Sequence, residues 1–395
     1  MTIRPIEESE YDPWMEVQHT VMNLSAGANP DEFYHPSFGI HPWINLDRSV
    51  GVFKDSNIVA TSHSFSLEMN IPGNCLPMAG VSHVTVLPTH RRQGILREMI
   101  RYQIDSFQDN SEPLSSLSSS ESAIYGRFGY GIAVFKENWV IQIPDNFQME
   151  LPSSRGQTIF IDHDQITNYF PLIYSIYARD KNAMVRVPDF HWYRKALRKP
   201  SNFNVVFEKD KSPLGYAAYE INGSVLIVDE LVAVTAEAYF DLWNHIFSFN
   251  HVRTVKADKR SQTELLPHML SCKLNFQRIV SDGLWLRLID APAALSKRDY
   301  ATPGRINIKV VDAFCPWNEN TYELLFDGIN AQCTRTETRP DIVISAADLA
   351  SIYLGGAKLS DISALGRVDE ITSGSIQKAG DMFKVDIPEI CPFGW

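Results

Sequence analysis

The chain has 395 residues, of which 44% are hydrophobic and 21% charged, and its formal net charge is −11. This composition is typical of a globular protein with room for two or three domains, and the net negative charge disfavours nucleic-acid binding. We find no apolar run of about 18 residues and no secretory signal at the N-terminus, so we expect no membrane span. The five cysteines are scattered, odd in number and never in a C-x-x-C pair, which favours reduced thiols, a cytoplasmic location and no zinc site.

The first part of the chain alternates β-branched runs with a helical pattern. Strands are predicted at Val50–Phe53, Ile58–Phe65 and Val81–Val86, and Val84 to Val86 is expected to be buried. Pro88 ends the third strand, and a basic turn containing glycine leads directly into a helix. The apolar face of that helix consists of Ile95, Leu96, Met99, Ile100, Ile104 and Phe107.

The basic turn stands at the N-terminus of this helix, where unpaired backbone N–H groups and the helix dipole attract anions. Arg91 and Arg92 add fixed positive charge, and Gly94 allows a ligand to approach the backbone closely. We interpret strand, turn and helix as a cradle for a pyrophosphate group. The turn is neither a Walker P-loop nor the glycine-rich turn of dinucleotide folds, because the motifs of both are missing. The alternative is an ordinary strand–turn–helix connection with two solvated arginines.

A serine-rich stretch, Ser115–Ser122, is interpreted as a strand end followed by a loop, and it leads into Ile124–Gly131. Three glycines in that segment predict a tight turn that holds one tyrosine towards a ligand and the other in the core. The candidates are Tyr125 and Tyr130, since a phenol stays protonated at neutral pH and can give its proton to a leaving group. A tyrosine beside glycines can equally be a packed turn residue. A further strand is expected near Phe135–Ile143.

The middle of the chain partly repeats this pattern. Leu214–Glu220 and Val225–Ala233 are predicted strands, and Ala236–Phe249 is a predicted amphipathic helix. The connection before this helix has neither an arginine pair nor a glycine. We therefore expect a second copy of the same architecture that has lost its phosphate cradle and does not bind the phosphorylated ligand.

The last part of the chain has a different pattern of predicted strands and helices. Ile306–Val311 and Asp341–Ile344 are predicted strands, and Ala346–Leu354 is a predicted helix closed by two glycines. The chain ends in Pro-Phe-Gly-Trp, which favours a packed rather than a frayed terminus. On physical grounds alone, Phe393 and Trp395 either anchor a last strand or belong to a site.

Several of these segments together resemble one family. The run from Val84 to Leu96 resembles the motif V-x-P-x-x-R-R-x-G of the GNAT superfamily of N-acetyltransferases, which holds the pyrophosphate of coenzyme A. Ser120–Gly131, the degenerate second copy and the aromatic C-terminus make the chain similar to the Eis (enhanced intracellular survival) family. The segment from Asp341 to Val368 is similar to a sterol-carrier-protein-like fold.

The resemblance implies an α/β (α+β) protein with tandem GNAT folds, each a mixed sheet flanked by helices, and a C-terminal sterol-carrier-protein-like α/β domain. The implied boundaries are 1–148 for a catalytic GNAT domain, 149–290 for a degenerate GNAT-like domain, and 291–395 for the last domain. In the family the C-terminus reaches the active site. A homo-oligomer, specifically a hexamer, is also implied.

The resemblance further implies roles for individual residues. The first tyrosine of I-Y-G-R-F-G-Y-G is the family's general acid, which selects Tyr125 over Tyr130. The α-carboxylate of the terminal aromatic residue, here Trp395, is the general base. Apart from the resemblance, a β-bulge in the strand before the turn would aim an N–H group at the thioester oxygen. The implied acetyl-CoA contacts, to which the charge argument adds Arg91, are Val84, Thr85, Val86, Arg92, Gln93, Gly94, Ile95, Leu96, Arg97, Ser120 and Glu121.

We therefore expect an acetyl-CoA-dependent N-acetyltransferase that acts directly, in a ternary complex, on amines such as aminoglycoside-type polyamines or lysine side chains. An acidic protein with a basic cofactor turn suits a cationic substrate. No metal is expected, because the histidines show no ligand spacing. The alternative is a carrier of an apolar ligand, in which the third segment binds and the GNAT half is vestigial.

Overall fold

The computed structural model of the protein describes residues 1–22, 44–119, 121–144, 149, 156–196, 202–270, 275–386, 388 and 390–394. The chain forms two compact units. The first contains Met1–Val134 and Leu284–Pro388, and the second contains Phe135–Gly283 together with the C-terminal residues up to Phe393. Within the described ranges, none of the helices combines the length and the apolarity that a membrane crossing requires.

The N-terminal part of the first unit opens with a strand and a helix and then forms a run of long strands. Its elements are β1 (Thr2–Pro5), α1 (Tyr11–Met22), β2 (Ser49–Lys54), β3 (Asn57–Ile71), β4 (Asn74–Val86), α2 (Ile95–Asp109), β5 (Leu114–Leu117), α3 (Ser122–Tyr125) and β6 (Gly131–Gln142). The chain enters the second unit within β6.

The second unit repeats this order of hairpin, strand and helix. Its elements are β7 (Gln157–Ile161), α4 (Ile166–Ala178), α5 (Asp189–Ala196), β8 (Asn202–Lys209), β9 (Ser212–Asn222), β10 (Val225–Ala233), α6 (Ala236–Phe247), β11 (Thr254–Arg260), α7 (Leu266–Met269) and β12 (Phe276–Leu288). The chain returns to the first unit within β12.

The rest of the first unit is a smaller sheet with helices. Its elements are α8 (Ala291–Lys297), β13 (Gly304–Val311), β14 (Thr321–Phe326), β15 (Ala331–Arg335), β16 (Ile342–Ser345), α9 (Ala346–Tyr353), α10 (Leu359–Ala364), β17 (Val368–Glu370) and α11 (Ser375–Phe383). The strands form one sheet in the order β15-β14-β13-β16-β17, in which β13 and β16 run parallel.

The larger sheet of the first unit places β4 at its centre, in the order β1-β2-β3-β4-β5-β12. Only β4 and β5 run parallel among its described pairs. Between β3 and β4, Thr61 pairs with Thr85 but His63 pairs with Ser82, so two residues of β4 face one of β3. One of the two, His83, has a positive φ of 56°. The β-bulge predicted before the turn is therefore present.

The second unit carries the matching arrangement, with strand order β6-β11-β10-β9-β8-β7 and with β10 and β11 parallel. The pairing of β9 with β10 also shifts register, between Val228 and Glu230. The mixed α/β fold and the repeat predicted from the sequence are thus both observed. The repeat keeps the bulge as well as the order of elements.

Most predicted elements are observed, with three differences. β3 and β4 are longer than predicted, because beyond the apolar runs their hairpin continues with buried apolar residues that alternate with polar ones, such as Leu67, Met69 and Ile71. Val84 and Val86 are half-buried, and only Thr85 between them is buried, so the end of β4 is more open than expected. The turn between Tyr125 and Gly129 is helical rather than a plain strand-to-strand turn, since α3 continues into a 3-10 turn over Gly126–Phe128.

The apolar face of α2 packs on the sheet as its periodicity predicted. Five of the six predicted residues are buried, and they pack against strands β2 to β5 (Ile95, Met99, Ile100, Ile104 and Phe107). Leu96, the sixth, is only half-buried and packs at the edge of the core while it also borders the N-terminal end of α2.

Candidate active site

The basic turn links the end of β4 to α2 through two residues with left-handed backbone conformation. After β4 the chain forms a 3-10 turn over Pro88–His90, and Arg91 Nε donates to the carbonyl of Val86 at 3.4 Å. Arg92 has φ 61° and Gly94 has φ 81°. These two residues are two positions apart, and left-handed residues in such turns are a feature of backbone concavities that bind anions.

Gly94 is the N-cap of α2 and has no side chain to accept a hydrogen bond from the first turn of the helix. No heavy atom lies within 4 Å of the position that a Cβ would take there. In the second unit the corresponding helix α6 begins differently, because Thr235 Oγ1 accepts from Ala238 N at 3.2 Å. The first helix therefore leaves its N-terminal N–H groups to a ligand, whereas the second satisfies one of them internally.

A cavity of about 710 Å³ opens over this helix N-terminus. That volume is within the range of ligand-binding sites. Its walls come from the end of α1, the end of β4, the basic turn with the first turn of α2, and the segment around α3. The lining residues are Val21, Met22, Val84, Thr85, Val86, His90, Arg91, Arg92, Gly94, Ile95, Leu96, Arg97, Glu121, Ile124, Tyr125, Arg127 and Phe128.

The two tyrosines of the glycine-rich segment lie in different environments. Tyr125 lines the cavity, and burial, followed by the nearby Glu121 carboxylate, raises its pKa to about 12. Tyr130 is 1% exposed and shares a hydrogen bond of 2.8 Å with Ser115 Oγ. Burial also raises the pKa of Tyr130. Both phenols therefore stay protonated at neutral pH, but only that of Tyr125 belongs to the cavity wall.

Most of the residues predicted for the site come together at this cavity. Eleven line it: Val84, Thr85, Val86, Arg91, Arg92, Gly94, Ile95, Leu96, Arg97, Glu121 and Tyr125. Gln93 points elsewhere, because its side-chain oxygen accepts from Lys54 Nζ at 3.4 Å and its amide nitrogen donates to Thr89 O at 3.5 Å. Ser120 and Trp395 lie outside the described residues.

Six lining residues were not predicted. Ile124, Arg127 and Phe128 flank Tyr125 in the same motif, so their place in the motif was a signal that the prediction did not use. Arg127 adds a further cation to the lining of the cavity. His90 lies within the basic turn itself, whereas Val21 and Met22, at the end of α1, have no distinguishing pattern in the sequence.

Next to the bulge, a group of polar side chains on β2 and β3 surrounds His63. Ser49 Oγ donates to the carbonyl of Asn45 at 2.9 Å and also lies 2.9 Å from His63 Nδ1. Because a hydroxyl has one hydrogen, Nδ1 of His63 must be the donor in that second contact. Burial, with the nearby His83 and Arg48, lowers the pKa of His63 well below its usual value. The ring is therefore neutral at neutral pH.

The bulge itself is fixed by side-chain hydrogen bonds. Thr61 Oγ1 donates to the carbonyl of His83 at 2.9 Å and lies 2.7 Å from Thr85 Oγ1. The ring of His83 stacks on that of Trp14 at 5.8 Å and meets that of His63 edge-on at 5.9 Å. These contacts hold the backbone of β4 in place beside the cavity.

No group of three histidine, cysteine, aspartate or glutamate side chains is placed to hold a metal ion in the parts of the chain that the structure describes. The cavity instead combines arginines with a helix N-terminus and one protonated phenol. Such a set of groups can bind a phosphorylated ligand and can supply one proton.

Comparison with protein families assigns each third of the chain. Residues 2–133 match the family described as "Acetyltransferase (GNAT) domain", and residues 183–287 match a second family of the same description. Residues 291–392 match the family described as "Sterol carrier protein domain". The protein therefore contains tandem GNAT domains followed by a sterol-carrier-like domain.

Similar proteins are found in several bacteria. An "Uncharacterized N-acetyltransferase" of Streptomyces avermitilis is 32% identical over 370 residues, which is 88% of this chain and 90% of that protein. "N-acetyltransferase Eis" of Mycobacterium tuberculosis is 30% identical over 353 residues, or 86% of each chain. Among solved structures, Eis1 from Mycobacterium abscessus superposes with a TM-score of 0.85 at 26% identity, and all of both chains is covered.

A GCN5-related N-acetyltransferase from Anabaena variabilis has the same fold, with a TM-score of 0.87 over both whole chains at 16% identity. The family models, the relatives and the structural neighbours agree with the strand–turn–helix geometry of the first unit. The chain belongs to the Eis family of GNAT N-acetyltransferases.

Proposed function

We propose that the protein transfers the acetyl group of acetyl-CoA directly to an amine, with Tyr125 as general acid and the α-carboxylate of Trp395 as general base. The observation that carries this proposal is the cavity that brings together the basic turn, the end of β4 and the Tyr125 side chain. A cosubstrate whose phosphates lie at the turn and whose chain follows β4 would bring its thioester towards Tyr125.

The first unit offers a separate group for each part of coenzyme A. Arg91, Arg92 and the N-terminal N–H groups of α2 supply charge and donors for the pyrophosphate. The open end of β4, from Val84 to Val86, can pair with the amides of the pantetheine arm as an added strand. The bulge beside it fixes a backbone N–H where the thioester oxygen would lie, which would stabilise the negative charge that develops there.

The proposed reaction is an attack of the amine nitrogen on the thioester carbon. The C–N bond forms, the C–S bond breaks, and the bonding electrons leave with sulfur. Tyr125 gives its proton to the thiolate, and the proton lost by the amine goes to the α-carboxylate of Trp395. Because the pKa of Tyr125 is raised to about 12, the phenol is fully protonated when it is needed.

An α-carboxyl group is an ordinary acid with a pKa near 3.5 in water, so it can act as a base here only if burial strengthens it or a water relays the proton. Cys391 and Phe393 of the segment that leads to it are buried. Cys391 Sγ lies 3.2 Å from Tyr174 Oη, and the Phe393 ring meets that of His191 edge-on at 4.4 Å. These two anchored side chains support a fixed rather than a frayed terminus, as the proposed base requires.

Primary amines of polycationic molecules are the proposed acceptors, either aminoglycoside-type polyamines or lysine side chains. The net charge of −11 favours cationic partners. The test is an assay of CoA release from acetyl-CoA with kanamycin-like polyamines and with lysine peptides, and with mass analysis of the product. We expect release that depends on the amine together with a mass gain of one acetyl group. Absence of CoA release with every amine would contradict the proposal.

The carboxylate role predicts that the C-terminus tolerates no extension. We expect that two or three residues added after Trp395 remove activity, because the carboxylate moves away, while the affinity for CoA stays unchanged. Isothermal titration with CoA and the turnover assay measure the two quantities. If the extended protein is fully active, the base lies elsewhere in the chain.

We also propose the division of the chain into domains at 1–148, 149–290 and 291–395, a homo-hexameric assembly and a cytoplasmic location. These proposals rest on membership of the family and on the composition of the chain. Limited proteolysis tests the boundaries, and sedimentation velocity tests the assembly: stable fragments with other ends, or a monomer at micromolar concentration, would contradict them.

A further inference from the structure

The turn that follows Tyr125 accepts a hydrogen bond from an arginine in a distant part of the chain. Every helix end leaves carbonyl groups that receive no hydrogen bond from within the helix. At the end of the 3-10 turn over Gly126–Phe128, the carbonyl of Phe128 is such a group. Arg287, near the end of β12, donates through Nη1 to that carbonyl of Phe128. Its side chain is fully buried. A guanidinium in such a place needs a partner for its charge.

The partner is Asp312, which follows β13 in the sterol-carrier-like segment. Arg287 Nη2 donates to Asp312 Oδ2 at 2.6 Å, and both side chains are buried. The other carboxylate oxygen, Oδ1, accepts from the N–H groups of Cys315 at 2.9 Å and Phe314 at 3.2 Å. The loop that follows β13 thus fixes the position of the Asp312 carboxylate. Through Arg287, that carboxylate helps to fix the position of the turn.

The same loop also packs against the turn and against α2. The ring of Phe314 meets that of Phe128 edge-on at 5.0 Å. The guanidinium of Arg101 lies 3.9 Å from the centre of the Phe314 ring, and that of Arg97 lies 5.5 Å from it. Arg97 lines the proposed cofactor cavity. The loop therefore contacts the segment that carries the acid and the helix that begins at the phosphate cradle.

Gly129 explains why the arginine can approach so closely. A Cβ at this position would lie 1.6 Å from Arg287 Nη1, and the residue also has φ 80°. Only glycine meets both conditions. The glycine after Phe128 in the I-Y-G-R-F-G motif thus leaves room for a contact with β12, besides allowing the turn.

We infer that Asp312 and Arg287 are positioning residues for Tyr125, so that the sterol-carrier-like segment supplies part of the framework of the acetyltransferase site. They touch neither the cavity nor its ligand, and they act through the turn that they hold. This inference rests on the proposed function of Tyr125 as the acid. It assigns to the third segment a task in acetyl transfer itself.

A double-mutant cycle tests the inference. Asp312→Asn keeps an oxygen for the two N–H groups but removes the charge and turns an amide towards Arg287. Arg287→Lys keeps the charge but shortens the reach to Phe128. Each is made alone and in the Tyr125→Phe background, and kcat is measured for protein normalised to CoA-binding sites. Glu112→Gln is the matched control, since the buried Glu112 forms another ion pair of this unit, 2.8 Å from the half-buried Arg48.

We expect Tyr125→Phe to lower kcat by about 100-fold or more. Asp312→Asn should lower kcat about 10-fold with Tyr125 present, with KM for acetyl-CoA little changed, but by less than about twofold in the Tyr125→Phe background. Glu112→Gln should have the same small effect in both backgrounds. Arg287→Lys should behave like Asp312→Asn, and it decides the question if the aspartate variant does not fold.

Three results would overturn the inference. If the Asp312 and Arg287 variants lower kcat by the same factor in both backgrounds, the ion pair is only a general support of the fold. If neither variant changes kcat while Tyr125→Phe does, the acid role stands and the positioning role fails. If Tyr125→Phe itself has no effect, the proposed acid role fails, and the inference fails with it.

Discussion

Two tyrosines five positions apart show how strongly the surroundings set what one residue type can do. Tyr125 and Tyr130 have rings whose centres lie 6.0 Å apart, and burial raises the pKa of both phenols. The hydroxyl of Tyr130 is engaged by Ser115 in the core. Tyr125 borders the cavity. Proton donation to a ligand is therefore open to Tyr125 alone of the two.

Substitution of each tyrosine by phenylalanine separates these environments. Tyr125→Phe should lower kcat about 100-fold or more, the usual contribution of a general acid, with the affinity for CoA kept. Tyr130→Phe should instead lower stability by about 1 kcal/mol through the lost hydrogen bond and leave kcat within about threefold. Steady-state kinetics and urea unfolding measure both effects. Equal losses of kcat in the two variants would remove the acid assignment.

Because of His63, we expect the free energy of unfolding to depend on pH. In the unfolded chain its imidazole takes up a proton near pH 6.5, whereas burial lowers its pKa in the fold. Below that pH the unfolded chain binds more protons, so the free energy of unfolding falls as the pH falls, by up to about 1.4 kcal/mol per pH unit.

Urea unfolding between pH 7 and pH 5 measures this contribution of His63. The stability of the wild type should fall more steeply than that of His63→Gln, which keeps a hydrogen-bonding side chain but does not titrate. Parallel curves for the two proteins would show that His63 is not held neutral in the fold.

At the scale of elements, the two copies differ most at one helix N-terminus. α2 begins at a glycine that leaves its first N–H groups to a ligand, whereas α6 begins at Thr235, which accepts one of them. The strand order and the bulge are kept in both copies. The two copies thus share a strand order and a bulge but differ in how the helix after the bulge begins.

Gly94→Ala tests the role of this helix N-terminus, and the chain offers a matched control. Gly374 is likewise the N-cap of a helix, α11, with φ 84° and no heavy atom within 4 Å of the place that a Cβ would take. Both alanine variants should lose about 1 kcal/mol through backbone strain. Only Gly94→Ala should raise KM for acetyl-CoA, by about 10-fold, because its methyl group enters the space over the N–H groups. An equal change of KM in both variants would contradict this role.

At the scale of the whole molecule, the sequence predicts well what lies within one stretch of chain. The cradle, α2 and the Tyr125 turn each lie within about fifteen consecutive residues, and periodicity, glycines and arginines mark them directly. The repeat could be found because the same order of elements recurs. A search for continuous apolar runs misses the ends of β3 and β4, because buried Leu67, Met69 and Ile71 alternate there with polar residues.

Contacts between distant parts of the chain could not be predicted from the single sequence. Arg287 and Phe128 are 159 positions apart, and Asp312 lies in a different segment again. An isolated arginine or aspartate in a sequence is most often a surface residue. The buried ion pair behind the Tyr125 turn, and the two residues at the end of α1 that line the cavity, therefore required the structure.

The central claim is that the first copy binds the pyrophosphate of acetyl-CoA at the arginine turn and delivers its thioester to an amine. The most direct test compares kcat/KM for acetyl-CoA with that for S-acetylpantetheine, which lacks the pyrophosphate, in the wild type and in an Arg91→Ala, Arg92→Ala double variant, at a saturating concentration of a polyamine. We expect the wild type to prefer acetyl-CoA by about 100-fold, as two charge-assisted contacts would give. The double variant should lose most of that preference and keep its rate with S-acetylpantetheine. A fall by the same factor for both donors would contradict the account.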